Sequence, residues 1–266
     1  PASLISYTLN NGVQLVAFHP LILGTFQNRM EKMNFIVDLV VTRHLTTFTH
    51  SVMVSYLAEA IGKHILAARP ELLRIPSSYL EGNVYASPAE VLDYIVPAAL
   101  FHDIGKNGMI PIINTQHRKL NDYEFNIIQT HPQKGSDYLS SDPDFLIYQP
   151  VALGHHRSYD GTRGYPLSFD NTASPYRDAI DLIHICDCLD AATDYLSRNY
   201  HRAKPFDVVL NELKVGRGTE YNPDMVDVIL SDRELYNDLK MLTEQNRENI
   251  YYDIYLTFVN LRKKRQ

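Results

Sequence analysis

The sequence predicts an all-α protein with a small β-hairpin at its N-terminus. Apolar residues recur at helical spacing from about residue 25 onward, whereas residues 4–18 alternate between polar and apolar side chains. Helix-capping signatures occur at several points of the helical part. With 266 residues, of which 45% are hydrophobic, the chain can bury one sizeable core, alone or with a small appendage.

The N-terminal hairpin is predicted from a turn signal between two short alternating segments. Asn11-Gly12 is the strongest short-range hairpin signal, and the apolar side chains on either side of it share one face. These side chains are Tyr7, Leu9, Val13, Leu15 and Ala17. We assign residues 1–26 to this hairpin and a linker.

A capping box predicts the first helix that we can delimit. Ser87 and Glu90 have the required spacing, and Pro88 stands at the first helical position. Pro97 is expected to bend this helix, because proline removes a backbone hydrogen bond, and Gly105 is expected to end it.

A second capping box, formed by Asn121 and Glu124, opens another helix. The run Thr130-His131-Pro132 interrupts it, because proline disfavours helical backbone in the residue before it. His131 is therefore expected at a break between helices, where its side chain can turn into a cleft.

The second half of the chain is predicted to contain further helices and one long loop. Residues 144–156 form a helix, and residues 157–173 are rich in glycine, proline, aspartate and hydroxyl side chains, which is typical of an ordered loop beside a site. Ser174-Pro175 starts the longest clear helix, and Asn222-Pro223 starts a short one. Residues 233–262 form an amphipathic helix that either packs on the core or pairs between subunits.

Composition limits the partners and the location. A net charge of -6 gives no basic surface for duplex nucleic acid, and the terminal run Arg262-Lys263-Lys264-Arg265 is interpreted as a solvated tail. Cys186 and Cys188 point to different sides of a helix and cannot form a relaxed disulfide, which suits a reducing cytoplasm. No apolar run is long enough to span a bilayer. Because residue 1 is Pro1, we expect the chain to begin inside a longer or trimmed polypeptide, with a larger sensor protein as one candidate.

Seven histidine and aspartate side chains form a candidate ligand set for metal ions. An adjacent histidine and aspartate at the end of an apolar helix can both reach one metal-sized space. Five imidazoles and two carboxylates without a thiolate suit iron, manganese or zinc, and a shared carboxylate can hold two ions close together. The sequence therefore indicates a dinuclear metallohydrolase. The set is His50, His102, Asp103, His131, His155, His156 and Asp187.

Read in order, these residues resemble the HD-GYP family, the bacterial phosphodiesterases of cyclic di-GMP. The resemblance runs from about Arg43 to Ile229. Its order and number of motifs make it specific, although each motif alone is weak. The matching segments are Thr47 with His50-Ser51, His102-Asp103-Ile104-Gly105-Lys106, His131-Pro132 with Gly135, His155-His156, Asp160-Gly161-Thr162-Arg163-Gly164-Tyr165-Pro166, and Asp187-Cys188-Leu189-Asp190-Ala191-Ala192-Thr193.

The resemblance implies an HD-domain helical bundle over residues 27–232, followed by a C-terminal amphipathic helix at residues 233–266. It also implies two divalent metal ions with Asp103 as the bridge. Iron ranks first and manganese second, with zinc, magnesium and nickel left open. The first ion would be held by His50, His102, Asp103 and Asp187, and the second by Asp103, His131, His155 and His156.

The resemblance also assigns catalytic and substrate-binding roles. Lys106 reaches the substrate phosphate in the family, so Asp103 and Lys106 are the predicted catalytic residues. Arg198 and Arg202 resemble the basic segment that contacts phosphate and guanine, across a two-residue insertion. Tyr165 is a candidate for stacking on a purine, with ordinary loop packing as the alternative.

Other residues receive supporting or structural roles. Asp190 and His184 are predicted to orient metal ligands through hydrogen bonds. Tyr159 has the same two alternatives as Tyr165. The remaining histidines are interpreted as structural, namely His19, His44, His64, His117 and His201.

The sequence departs from the family pattern at three points. Arg157 replaces the glutamate that normally follows the His-His motif, and it either adds a phosphate contact or replaces a structural ion pair. One extra residue lies between Gly161 and Gly164. Thr46 stands where some members carry a glutamate that binds a third metal, which favours two metals here.

The activity that the resemblance implies is hydrolysis of cyclic di-GMP to pGpG by a hydroxide that bridges the two metals, with continuation to GMP left open. One alternative is a phosphohydrolase of the HD type that acts on another nucleotide. Another is a low-activity module that binds a cyclic dinucleotide, or that docks a GGDEF-domain protein through the loop at residues 157–173. A homodimer is a further candidate assembly.

Overall fold

The structure is a computed structural model that describes residues 5–8, 14–17, 26–33, 35, 45–77, 84–109, 119–197 and 202–263. Two short antiparallel strands, β1 (Ile5–Thr8) and β2 (Gln14–Ala17), pair with Ile5 opposite Ala17. The predicted hairpin is therefore confirmed. Its turn residues, Asn11-Gly12, lie outside the described residues.

The described part of the chain beyond the hairpin is helical, which confirms the predicted all-α class. Within the described residues, four 3-10 segments and one π-helical turn connect or extend the helices. The α-helices are α1 (Leu45–Ala68), α2 (Pro88–Phe101), α3 (Asp122–Ile128), α4 (His131–Ser140), α5 (Gln149–Gly154), α6 (Arg177–Thr193), α7 (Phe206–Val215), α8 (Pro223–Ser231), α9 (Arg233–Lys240) and α10 (Arg247–Lys263). The 3-10 segments are Pro70–Leu72, Ile104–Gly108, Leu146–Tyr148 and Asn171–Ala173, and the π-helical turn is Met241–Gln245.

Helix α1 lies at the centre of the fold, where it packs on α2 and α6. Its apolar residues Val54, Leu57, Ile61 and Ile65 recur every three or four positions and are fully buried, so one continuous stripe of the helix faces its neighbours. The segment Ile104–Gly108 and α5 both pack on α4. The ends of α2, α4 and α5 therefore meet beside α1 and α6.

Both predicted capping boxes are present. The Ser87 hydroxyl accepts from the N–H of Glu90 at the start of α2, and the Glu90 carboxylate accepts from the N–H of Ser87. Asn121 and Glu124 make the same reciprocal pair at the start of α3. These local hydrogen bonds fix where each helix begins.

Several predicted helix boundaries were wrong. The helix that we placed at residues 144–156 is a 3-10 turn followed by the short α5, and Gly105 lies inside a 3-10 turn because α2 already ends at Phe101. Helix α6 begins at Arg177, after a non-helical segment at Ser174-Pro175, and α1 is longer than α6. The helix predicted over residues 233–262 is divided by the π-helical turn.

The C-terminal segment packs on the core of the same chain. Leu235 and Leu239 of α9 are fully buried, and Tyr251 and Ile254 of α10 are nearly so. Helix α9 contacts α1, and the π-helical turn contacts both α1 and α6. Of the two arrangements that the sequence left open, the structure contains the packing on the core.

Among the residues that the structure describes, none of the helices combines the length and the apolarity that a bilayer crossing requires.

Candidate metal centre

The seven predicted ligand residues converge at the ends of the central helices. His50 lies in α1, His102 and Asp103 directly follow α2, and Asp187 lies in α6. His131 is the first residue of α4, at the break that the sequence predicted, and His155-His156 follow α5. Their potential ligand atoms form two groups, each within 4.8 Å across: His50, His102 and Asp187, and Asp103, His131, His155 and His156.

Asp103 faces both groups with a different oxygen. Its Oδ1 lies 3.1 Å from Nε2 of His131 and 3.7 Å from Nε2 of His155. Its Oδ2 lies 3.7 Å from Nε2 of His50 and 3.6 Å from Nε2 of His102. A carboxylate with one oxygen toward each group is suitable for bridging two cations.

Backbone carbonyls orient three of the imidazoles. Nδ1 of His102, His131 and His155 each donates to the carbonyl oxygen three residues earlier in the chain. A carbonyl oxygen can only accept, so Nδ1 carries the proton and Nε2 of the neutral ring presents its lone pair. The acceptors are Ala99 at 2.6 Å, Ile128 at 2.7 Å and Ala152 at 2.9 Å.

This orientation fits metal ions, because lone pairs face one another without protons between them. Nε2 of His131 lies 3.1 Å from Nε2 of His155. Burial lowers the pKa of His131, and it lowers the pKa of His102 to about 3, so both rings are neutral. Nε2 of His102 is buried and makes no hydrogen bond within the described part of the chain. A cation would stabilise these buried lone pairs.

The two carboxylates of the centre are ionised. Burial would raise the pKa of Asp103, but the ammonium group of Lys106 outweighs it and holds the pKa well below its usual range. The pKa of Asp187 is likewise well below its usual range, because the contact with His50 outweighs burial. Five imidazoles and two carboxylates are a suitable donor set for divalent ions such as iron, manganese or zinc.

Of the predicted substrate-binding residues, Lys106 reaches the centre. Its Nζ lies 2.5 Å from Oδ2 of Asp103, and its side chain keeps 18% of its surface exposed. Arg202 is exposed and follows a stretch of undescribed residues, and Arg198 lies outside the described residues. Part of the Lys106 side chain is therefore accessible to solvent beside the buried cluster.

Asp190 and His184 contact the cluster in different ways. Oδ2 of Asp190 accepts a hydrogen bond of 2.6 Å from Nδ1 of His50. Nδ1 of His184 donates to the backbone carbonyl of His155 at 2.6 Å, and its Nε2 lies 3.3 Å from the Glu220 carboxylate. Asp190 therefore orients the side chain of the predicted ligand His50, whereas His184 holds the backbone of the predicted ligand His155.

Arg157 organises the loop that follows the His-His pair. It is buried, and its guanidinium donates to the backbone carbonyls of Gly161, Arg163 and Gly164. Neither alternative left open for Arg157 describes these contacts, because the acceptors are carbonyls of its own loop. Gly161 and Gly164 adopt φ of 72° and 87°, backbone that glycine permits, so the loop accommodates its extra residue.

The two loop tyrosines have different surroundings. The Tyr165 ring lies 4.5 Å from the His156 ring and 6.1 Å from the His131 ring, at the edge of the cluster. Tyr159 instead lies beneath the Arg177 guanidinium at 4.6 Å, which is the loop-packing alternative.

The remaining predicted structural histidine that can be described, His64, pairs with Asp232 at 2.7 Å, away from the cluster. His19, His44, His117 and His201 lie outside the described residues. Thr46 is exposed at the surface.

The sequence missed one residue of the centre's surroundings. Arg247, at the start of α10, is fully buried, and its Nη1 lies 2.8 Å from Oδ1 of Asp190. An arginine in an amphipathic helix is ordinarily a surface residue, so its sequence carried no signal for this contact.

Comparison with known proteins places this site in a family. The model of the HD domain family matches residues 47–199, more than half of the chain. The chain therefore belongs to the HD domain family. Together with its relatives, this match confirms the resemblance to the HD-GYP type within that family.

The chain is similar to several curated bacterial proteins. A cyclic di-GMP phosphodiesterase of Vibrio cholerae serotype O1 is 26% identical over 210 residues, covering 75% of this chain and 41% of that protein. The cyclic di-GMP phosphodiesterase response regulator RpfG of Xanthomonas campestris pv. campestris is 32% identical over 146 residues, covering 54% and 37%. A 3'3'-cGAMP-specific phosphodiesterase 2 of Vibrio cholerae is 25% identical over 203 residues, covering 75% and 37%. The chain thus spans about two fifths of each of these relatives.

Proposed function

We propose that this chain is a metal-dependent phosphodiesterase that hydrolyses cyclic di-GMP to pGpG. The observation that carries the proposal is the position of Asp103, whose two oxygens face two separate groups of imidazoles. His50, His102, Asp103 and Asp187 would hold one ion. Asp103, His131, His155 and His156 would hold the other.

Two bound divalent ions supply charge neutralisation for the phosphodiester and acidify a water. The protein's own residues provide the setting for this chemistry. The Nζ of Lys106 lies at Asp103 with part of its side chain exposed, so it can donate to a phosphate oxygen that approaches the centre. The rings of His102, His131 and His155 are fully buried, so bulk solvent does not reach them. Tyr165 covers His156 and offers a ring face on which a base can stack.

The substrate class is supported by the curated relatives, which include cyclic di-GMP phosphodiesterases. One relative specific for 3'3'-cGAMP favours that cyclic dinucleotide as a second candidate substrate. A low-activity module that docks a GGDEF-domain protein through residues 157–173 is the competing function. Cys186 and Cys188 form no disulfide with each other, which supports a cytoplasmic setting for the reaction.

The metal identity and the reaction can be tested together. The native chain is purified without oxygen, its metals are measured by elemental analysis, and the products from cyclic di-GMP and 3'3'-cGAMP are separated by chromatography. We expect about two metals per chain, release of pGpG, and loss of both metals and turnover in Asp103→Ala. Asp181→Asn is the matched control, because it changes a buried carboxylate outside the two groups. It should retain both metals and the turnover of cyclic di-GMP.

Two results would contradict the proposal. One is a native chain with both metals that releases no product from cyclic di-GMP, which would favour the binding module. The other is Asp103→Ala protein that keeps two metals, which would contradict a bridging role for Asp103.

A further inference from the structure

The buried guanidinium of Arg247 lies behind the metal centre. It belongs to α10, well beyond residues 47–199 that the HD domain model matches. Nη1 of Arg247 lies 2.8 Å from Oδ1 of Asp190, and Nη2 donates to the Thr193 hydroxyl at 2.9 Å. Its Nε donates to the Thr243 carbonyl at 3.0 Å, within the π-helical turn. The side chain is therefore held on several sides.

Asp190 connects this guanidinium with a predicted ligand. Its Oδ1 receives Arg247, whereas its Oδ2 accepts from Nδ1 of His50 at 2.6 Å. Nε2 of the same imidazole lies 3.0 Å from Oδ1 of Asp187, inside the first group of ligand atoms. A continuous chain of contacts thus runs from α10 through α6 to α1.

Burial makes this chain sensitive to the loss of its positive charge. Arg247, Asp190 and Asp194 are each fully buried, and Nη1 of Arg247 also lies 3.7 Å from Oδ1 of Asp194. A buried carboxylate that loses its charged partner must reorient or find another donor. Burial would lower the pKa of Arg247, but Asp190 outweighs it and the guanidinium stays charged.

The local backbone brings Arg247 to this position. The π-helical turn Met241–Gln245 separates α9 from α10, and a π-helical turn adds a residue to the helical repeat, which changes the face that the following helix presents. Arg247 comes two residues after this turn and faces Asp190. Such turns occur frequently at functional sites.

We propose that Arg247 is a positioning residue of the metal centre, which holds Asp190 so that Nε2 of His50 points at the first metal position. The inference rests on the proposed function only in taking the group of His50, His102 and Asp187 as a metal site. The C-terminal segment thereby completes a centre whose ligands all lie before residue 190.

Equilibrium titration of the metal-free protein with Mn²⁺ tests this role. We expect Arg247→Met to weaken the binding of one of two equivalents by at least about tenfold, the usual effect of losing an outer partner of a metal ligand. The second equivalent should bind as in the native protein. Arg247→Lys should recover part of the loss, because it keeps a buried positive charge without the planar fork.

Two further variants separate positioning from stability. Leu239→Ala removes a buried side chain from α9 and lowers the melting temperature, but it should leave both Mn²⁺ equivalents unchanged. The double variant Asp190→Asn with Arg247→Met removes both charges of this pair, and Asp194 keeps its hydrogen bonds from the backbone N–H groups of Leu196 and Ser197. This double variant should fold. Its affinity for Mn²⁺ should be no lower than that of the weaker-binding single variant, because the two substitutions remove the same contact.

The outcomes for this role and for the proposed function are distinguishable. Arg247→Met protein that binds both equivalents like the native chain would overturn the positioning role, and so would a native chain that binds no Mn²⁺. A native chain that binds two equivalents but leaves cyclic di-GMP intact would overturn the proposed function alone.

Discussion

Replacing Gly105 by alanine should disturb the metal centre through the backbone alone. A Cβ at this position would lie 1.9 Å from the carbonyl oxygen of His131 and 2.5 Å from the backbone nitrogen of Gly135. Both atoms belong to the main chain of α4, so no side-chain rotation can relieve the contact. Helix α4 must therefore move away from the segment that carries Asp103.

The size of this movement follows from the contact distances. Non-bonded heavy atoms are best separated by roughly 3.5 Å, so the His131 carbonyl must retreat by about 1.6 Å. Nε2 of His131 now lies 3.1 Å from Oδ1 of Asp103, whereas metal–ligand distances tolerate deviations of only about 0.2 Å. We expect the ion shared by Asp103 and His131 to be lost. Overpacking of this kind costs about 1–3 kcal/mol or more of folding stability.

Gly108→Ala is the matched control for Gly105→Ala. It lies in the same 3-10 segment, and its added Cβ would meet the end of the flexible Lys134 side chain at 3.4 Å. Urea unfolding and elemental analysis should show lower stability and about one metal less for Gly105→Ala, with the control close to native. Equal stability and equal metal content in the two variants would refute the close approach of the two segments.

Two further predictions concern a buried acid and the loop after the His-His pair. Burial raises the pKa of Asp181 to about 7, so the folded chain keeps a proton that the unfolded chain, with a pKa of about 3.9, releases. The free energy of unfolding should thus fall as the pH rises from about 4 to 7, by up to about 4 kcal/mol. Urea unfolding at several pH values should show a smaller fall for Asp181→Asn than for the native chain. The same pH dependence in both proteins would contradict this prediction. Arg157→Met should speed amide hydrogen exchange across residues 158–165, because the carbonyls of that loop lose their donor. Arg163→Met changes an exposed arginine of the same loop and should leave the exchange rates near those of the native chain. Similar exchange rates in the two variants would contradict the organising role of Arg157.

Three of the predicted ligands are positioned by local geometry, which a sequence motif can record. The break before Pro132 places His131 at a helix start, and the imidazoles of His102, His131 and His155 are each held by a carbonyl three residues earlier. Contacts within one helical turn depend on the residues of that turn, which a motif records. The capping boxes at Ser87 and Asn121 were predictable for the same reason.

The sequence could not predict the contacts that join distant segments. Asp190 and Arg247 are separated by 57 positions, and nothing in the spacing of either residue identifies the other. The contacts of Arg157 were not predictable for a related reason, because its acceptors are backbone carbonyls, which every residue carries. The sequence also did not predict the π-helical turn that divides the helix expected over residues 233–262, because such a turn does not change the pattern of apolar residues.

These two kinds of contact determine two different properties of the centre, namely the direction of single ligand side chains and the distances between them. Local hydrogen bonds set the direction of the imidazoles of His102, His131 and His155, and they remain wherever the short motif folds. The relative placement of α1, α4 and α6 depends instead on a close backbone approach at Gly105 and on the buried pair of Asp190 and Arg247. A variant can therefore retain every ligand and still lose a metal ion, because the distance between ligands from different helices is set by residues that touch no metal.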